Sequence, residues 1–197
     1  MIPVSSLKQL RHPAEPRRPF SLITASRLAP EKHLDWLVRA VIEARQTLPE
    51  LTLDIYGQGV DYAKLQKIIA DAHAADYISR TRPRSIRSTR PASASTGEDF
   101  GLSFLEAIGA GLPLVGFDVS YGNQTMIDDG RNGYLLDYEG GWTDQQKVHQ
   151  LAQGSIRLFS QESLTPFQQH SYQLAESYLD SNVGKQWQQF LRRLSND

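Results

Sequence analysis

Residues 20–42, FSLITASRLAPEKHLDWLVRAVI, change their hydrophobic period once, and that change decides the fold. Phe20 to Ala25 is a short apolar run with the length and composition of a buried strand. Pro30 and Glu31 suit the first turn of a helix, Pro30 by its fixed φ and Glu31 by its charge at the positive end of the helix dipole. Leu34, Leu37, Val38, Val41 and Ile42 then recur at i, i+3, i+4, i+7 and i+8, one apolar face of a helix that Pro49 ends. LTLDIY at 51–56 reads as a second strand closed by Gly57 and Gly59, and Leu65, Ile68, Ile69 and Ala72 mark a second amphipathic helix. The order strand, helix, strand, helix predicts an α/β fold with a parallel sheet and right-handed crossovers.

Further along, the pattern lapses and returns. SRTRPRSIRSTRP at 79–91 carries Arg80, Arg82, Arg84, Arg87 and Arg90, two prolines and no acid, and reads as an atypical basic loop. No aromatics are interleaved for base stacking, which argues against a nucleic-acid segment. After the small residues 92–96, an apolar helix leads from Gly101 to Gly111, Leu114 to Phe117 is another buried strand, and Tyr134 to Leu136 is the last one. Residues 145–195 read as helices, the final one with Trp187, Phe190, Leu191 and Leu194 on one face. Before the first strand, residues 1–19 are polar and proline-rich, as a linker is.

Composition narrows the chemistry. The 197 residues include 21 basic and 22 acidic side chains, so no global charge calls for nucleic acid or an anionic membrane. There is no cysteine, which excludes disulfides and thiolate zinc sites, and the five histidines form no H-x-x-x-H pair. The start has no signal-peptide pattern, and no apolar run approaches the roughly 18 residues of a membrane span. The expectations are a cytoplasmic protein with at most peripheral membrane association, and no metal.

Two clusters could carry chemistry. Ser26-Arg27-Leu28-Ala29-Pro30-Glu31-Lys32 lies where the first strand hands over to the first helix. Ligands of open α/β sheets bind beyond the carboxyl ends of strands, and a helix start suits phosphate. Arg27 offers a bidentate fork and Lys32 a point charge, although the spacing alone fits a surface turn equally well. In GEDFGLSFLEAIGAGLP, Glu98 precedes the helix and Glu106 lies about a turn inside it. Helical side chains lean toward the N-terminus, so both carboxylates could approach a ligand at that helix start, where the amides of Phe100, Gly101 and Leu102 could hold an anion. One exposed Glu in a loop and one on a helix surface is the plainer alternative.

The second cluster resembles the E-x7-E signature of the retaining glycosyltransferases of group 1, or family 4, written EGFGL-x-x-LEA-x-A-x-G-x-P. ASRLAPEKHLDWLVRAV is similar to their GRL-x-x-EKG turn, IYGQGVDYAKLQ to I-x-G-x-G-x3-x-L, and Asp129-Gly130 with Asn132 to Leu135 to DG-x-NG-x-L. These segments agree in order over most of residues 20–137. The resemblance implies the C-terminal half of a GT-B fold: a Rossmann-like, nucleotide-sugar-binding domain over 20–180 and a C-terminal helix over 181–197. Residues 1–19 would then be the linker from a missing N-terminal acceptor domain. ITASRLAPEKHLDWLV, ASAST and FDVSYGNQTMIDDGRNGYLL further resemble the accessory-secretion transferases that add N-acetylglucosamine to serine-rich adhesins. A teichoic-acid (polyol phosphate) glucosyltransferase fragment and a non-catalytic or decayed interaction module are the alternatives.

By that resemblance the donor is a UDP-sugar, UDP-N-acetylglucosamine above all, and there is no other cofactor. Arg27 and Lys32 would neutralise the diphosphate. Glu98, as the catalytic carboxylate, would bind donor-sugar hydroxyls, and Glu106 the ribose hydroxyls. The amides of Phe100, Gly101 and Leu102 would contact sugar and phosphate. Asn123 and Gln124 are further candidates, with capping of the following helix as the alternative. A paralogous partner subunit is a further expectation, and the half alone is expected to be inactive.

Three departures qualify the match. Asp99 stands where the family has Gly. At about 5 Å from a phosphate its charge would cost roughly 3 kcal/mol at an effective dielectric near 20, so it is expected to face solvent. Residues 79–91 stand where the family has a longer stretch that helps hold uracil, which predicts a sheet short of partners there and suggests a frameshift or sequence damage. The family's acceptor domain is expected to be missing from this half.

Overall fold

A computed structural model describes residues 6–11, 18–81, 90–91, 102–119 and 122–194. Four parallel strands form one sheet in the order β3-β2-β1-β4: β1 is Ser21–Ala25, β2 Thr52–Tyr56, β3 Ile78–Thr81 and β4 Arg90–Pro91. β5 (Leu114–Phe117) and β6 (Gly133–Leu136) make a second parallel pair, and β5 contacts β4. β1 and β2 pair in unbroken register from Ser21↔Thr52 to Ala25↔Tyr56. Both faces of β1 are covered, since Ser21 to Thr24 are all buried. Double burial is why this strand reads as a continuous apolar run rather than an alternating one.

The helices divide between two cores. α1 (Leu34–Ala44) buries Leu34, Leu37, Val38 and Val41, the face its spacing specified. α5 (Asp144–Phe159) packs against it with Val148, Leu151, Ala152 and Leu158. α5 starts at a capping box in which Thr143 accepts from the Gln146 amide and the Gln146 side chain accepts from the Thr143 amide at 2.8 Å. α2 (Tyr62–Asp71) adds Leu65 and Ile69 to this first core. Each fully buried Leu or Val contributes about 1.5–3 kcal/mol. The second core joins α3 (Leu102–Gly109), α4 (Gly122–Met126) and α6 (Thr165–Glu176) through Phe104, Leu105, Ile108, Met126 and Ala175. Gly111 ends α3 with φ 63°, and a Cβ there would lie 2.3 Å from the Tyr172 ring of α6. That position therefore needs glycine both for its left-handed backbone and for its lack of bulk.

Two expectations need correcting. The segment 79–91 is not a loop from end to end. Ser79, Arg80 and Thr81 continue β3 against Asp54, Ile55 and Tyr56, and Arg90 and Pro91 pair with Leu22 and Ile23. Tertiary pairing overrides the missing periodicity, because β2 and β1 offer open backbone ladders. The polar side chains also find partners: the Ser79 hydroxyl donates to Asp54, Arg18 pairs with the same carboxylate, and the Arg80 guanidinium lies 4.1 Å from the Tyr62 ring centroid.

Residues 6–11 are likewise more than a linker. The Leu7 amide donates to the Tyr178 carbonyl at 2.8 Å and the Leu7 carbonyl accepts from Asp180 at 2.9 Å, while the Arg11 amide donates to Gly109 at 2.7 Å. Leu7 thus fills a notch beside α3 at the junction of α6 with α7 (Asp180–Leu194), a long-range contact that no local pattern announces. α7 begins at Asp180 and runs on through Trp187, Phe190, Leu191 and Leu194, all four exposed. Among the described residues no helix is long and apolar enough to cross a membrane.

Beyond the strands, the chains leaving β1 and β2 stay in contact. A Cβ at Gly59 would lie 2.2 Å from the Leu28 carbonyl oxygen, whereas one at Gly140 would meet nothing within 4 Å. Gly59→Ala should lower urea-denaturation stability by about 2 kcal/mol through overpacking, and Gly140→Ala should leave it within about 0.5 kcal/mol. Equal midpoints for the two variants would contradict the close approach.

Candidate functional site

The strand order reverses at β1: the chain proceeds to β2 and β3 on one side, then returns to place β4 on the other. A crevice opens at such a switch point, beyond the carboxyl ends of the two strands. One wall is the turn that follows β1. It carries Arg27 and Lys32. After β4, on the other side of β1, the next described element is α3, which carries Leu102 and Glu106.

Backbone hydrogen bonds fix the first wall. The Ser26 amide donates to Tyr56 at 3.0 Å, the Leu28 amide to Gln58 at 2.9 Å, and the Asp61 amide to Leu28 at 3.0 Å. Leu28 itself is buried, so the turn is pinned at its centre by both its main chain and its side chain. Arg27, next to this anchor, keeps its side chain 75% exposed and donates to Glu31 at 2.8 Å. An ion pair so exposed contributes only about 0–1 kcal/mol, and an incoming anion can displace it at little cost. The 3-10 turn Pro30–Lys32 follows, with the Lys32 amide donating to Ala29 at 2.9 Å.

His33 closes the turn in the left-handed region, at φ 44° and ψ 40°. A non-glycine residue there costs about 1–2 kcal/mol. Its ring lies parallel to Trp36 with centroids 3.8 Å apart, and such stacking returns about 0.5–1.5 kcal/mol. Trp36 in turn meets Phe117 edge-on at 6.4 Å, and the Lys147 ammonium sits 4.7 Å from its ring centroid. Tyr138 completes the group, 5.4 Å from Phe117 and 5.6 Å from the ammonium. Sequence reasoning passed over this cluster. Its signal was a histidine in the place of the motif's last glycine, three residues before a tryptophan.

The other candidates fare differently. Leu102 and Glu106 share one exposed face of α3, one turn apart, with Leu102 59% exposed. Glu98, Phe100 and Gly101, and Asp99 between them, lie outside the described residues. Asn123 and Gln124 fall inside α4 rather than before it. Asn123 is fully buried and donates to the Phe117 carbonyl at 2.8 Å, while its Oδ1 has no hydrogen-bond partner among the described residues. Its side chain thus braces the carboxyl end of β5. Gln124 is exposed and donates to Asp118 at 2.7 Å. Near β6, Asn132 receives the Asp128 amide at 2.7 Å and donates to Met126 at 2.9 Å, which shapes the turn read as DG-x-NG.

Burial lowers the His33 pKa from its ordinary 6.5, assisted by Lys147 and Lys64 and opposed by Asp35 and Asp144. The unfolded chain therefore takes up this proton at a higher pH than the folded one. The stability tied to neutral His33 is complete above the ordinary value and is lost as pH falls through the lowered one. Urea titrations at about pH 8 and about pH 5.5 should show a larger loss on acidification for the wild type than for His33→Asn. Equal losses would contradict this assignment.

Residues 19–161 match the family described as glycosyl transferases group 1. The chain is 50% identical over 201 aligned residues to the UDP-N-acetylglucosamine–peptide N-acetylglucosaminyltransferase GtfA subunit of Streptococcus gordonii, with 100% of this chain and 40% of the relative covered. Among solved structures, the pneumococcal O-GlcNAc transferase GtfA in complex with UDP and GlcNAc superposes with a TM-score of 0.91 at 45% identity. A GtfA/B complex gives 0.93 at 50% identity, and each superposition covers 100% of this chain and 40% of the other. The chain thus spans about 40% of the length of the relatives it matches.

Proposed function

The chain belongs to the group 1 glycosyl transferases, and from that premise we propose that it is the donor-binding half of a retaining transferase. Its donor is UDP-N-acetylglucosamine and its acceptors are serine and threonine hydroxyls of an adhesin-type protein. The observation that carries this is the pinned turn after β1. Its main chain is held by Gln58 and Asp61, and it presents Arg27 and Lys32 at the edge where the strand order reverses. Half of the residues are shared with a relative named for UDP-N-acetylglucosamine and peptide, which favours this reading over a polyol phosphate acceptor.

In this reading the diphosphate replaces Glu31 in the fork of Arg27. Arg27 and Lys32 then stabilise the charge that grows on the leaving UDP, without reorganisation at the moment of reaction. Glu106 accepts from the ribose hydroxyls, Glu98 from those of the sugar, and the amides of Phe100, Gly101 and Leu102 complete the hold on sugar and phosphate. The acceptor site and the opposite wall of the cleft belong to a further domain of the whole protein. The exposed face of α7 (Trp187, Phe190, Leu191 and Leu194) is apolar enough to be covered by that domain. The whole protein works with a paralogous partner subunit, a reading supported by the assembly of one relative.

One observation favours a weaker variant of this function. Only residues 82–89 separate Thr81 from Arg90, fewer than the roughly dozen that a parallel crossover commonly uses. A base pocket built there would be reduced, and with it the affinity for uridine.

Isothermal calorimetry with UDP tests the proposal. The wild type should bind, and Arg27→Ala, Lys32→Ala and Glu106→Ala should each weaken binding by about tenfold or more, the cost of a charge-assisted hydrogen bond. No heat of binding at millimolar UDP would refute it.

A further inference from the structure

We propose that His33 is a positioning residue: its imidazole, laid flat on Trp36, latches the left-handed turn that aims Lys32. The inference rests on the donor reading above, since it takes Lys32 as a ligand of the diphosphate.

The geometry argues from the backbone outward. His33 is the single residue between the 3-10 turn and α1, C-cap of the one and N-cap of the other, so its φ and ψ set the angle between the two. Its amide donates to Pro30 at 3.1 Å, and its carbonyl accepts from Trp36 at 3.0 Å. The turn is therefore closed on one side by Pro30 and tied on the other to the residue whose ring receives the imidazole. Phe117 and Lys147, from β5 and α5, hold that ring in turn, and Trp36 is 4% exposed. Lys32, adjacent in sequence, inherits its direction from a chain of contacts that ends in the core.

A glycine would adopt this backbone with less strain, but it would also leave the turn free to adopt others. A side chain is justified here only by what its ring touches, and the ring touches Trp36 at 3.8 Å with an interplanar angle of 10°. An ordered turn keeps Lys32 preorganised before the donor arrives, and a loose one must be ordered by the donor at the expense of affinity.

The test uses UDP with the full chain and the variants His33→Gly, His33→Asn and His33→Phe, with Lys32→Ala as a reference. Gly and Asn accept the left-handed backbone but cannot stack, whereas Phe keeps a ring for Trp36. The latch predicts about fivefold weaker UDP binding for Gly and Asn, with Phe within about twofold of the wild type and melting temperatures little changed. It also predicts faster hydrogen exchange at amides 32 and 33 in the His33→Gly chain, with the interior amides of α1 unchanged. Unaltered exchange at these amides overturns the latch, as does wild-type affinity in His33→Gly or an equal loss in His33→Phe. A wild-type chain that binds no UDP refutes the donor reading instead, and the exchange experiment alone then decides the latch.

Discussion

Leu28 is held on both sides of its peptide, by the Gln58 carbonyl at 2.9 Å and the Asp61 amide at 3.0 Å, and this holds only because residue 59 has no side chain. The two hydrogen bonds carry the β1–β2 pairing past the ends of the strands. They convert what would be a mobile loop into a rigid shelf at the edge of the sheet. Leu28 points into the core, so its neighbour Arg27 is turned toward water. The start of α1 follows at a fixed place. Loosening this contact would free both cations at once, without touching either.

The shelf matters because of where the sheet puts it. A parallel sheet whose order reverses at β1 leaves a gap between the two crossovers, and the gap lies at the carboxyl ends where helices begin. The positive dipole ends of helices suit a diphosphate. A transferase of this kind has little covalent work for the protein to do at the phosphates. It must hold charge still while the bond to the sugar breaks. A pinned turn carrying a guanidinium and an ammonium is suited to that task, and the aromatic group beneath it (His33, Trp36, Phe117, Tyr138) supplies stiffness from below.

How much of this could be read in the sequence depended on whether a residue's partner was local. β1, β5 and β6 declared themselves as short, mostly apolar runs, and β2 did so by its β-favouring residues and closing glycines, despite the buried Asp54 at its centre. α1 did so too, by its spacing. β3 did not, because Ser79, Arg80 and Thr81 are made compatible with a strand by Asp54 and Tyr62, which lie far off in sequence. Leu7 was hidden for the same reason: its partners are Gly109, Tyr178 and Asp180. Of the site, Arg27, Lys32, Leu102 and Glu106 were named from motifs; Arg27 and Lys32 flank and follow the pinned Leu28 in the turn after β1, and Leu102 and Glu106 lie on the exposed face of α3. Asn123 was named as a ligand candidate or a cap, but its side chain is engaged with the Phe117 carbonyl inside the fold. His33 was read as part of a turn, and its role became visible only with its φ of 44° and the ring beneath it.

The central claim is that one nucleotide bridges the turn after β1 and the start of α3. Amide chemical shifts of the isotope-labelled chain, followed as UDP is added, test it most directly. The account predicts that residues 27–33 and 102–106 move together with one saturation curve, while α7 stays still. Shifts confined to only one of these segments, or centred on α7, would contradict it.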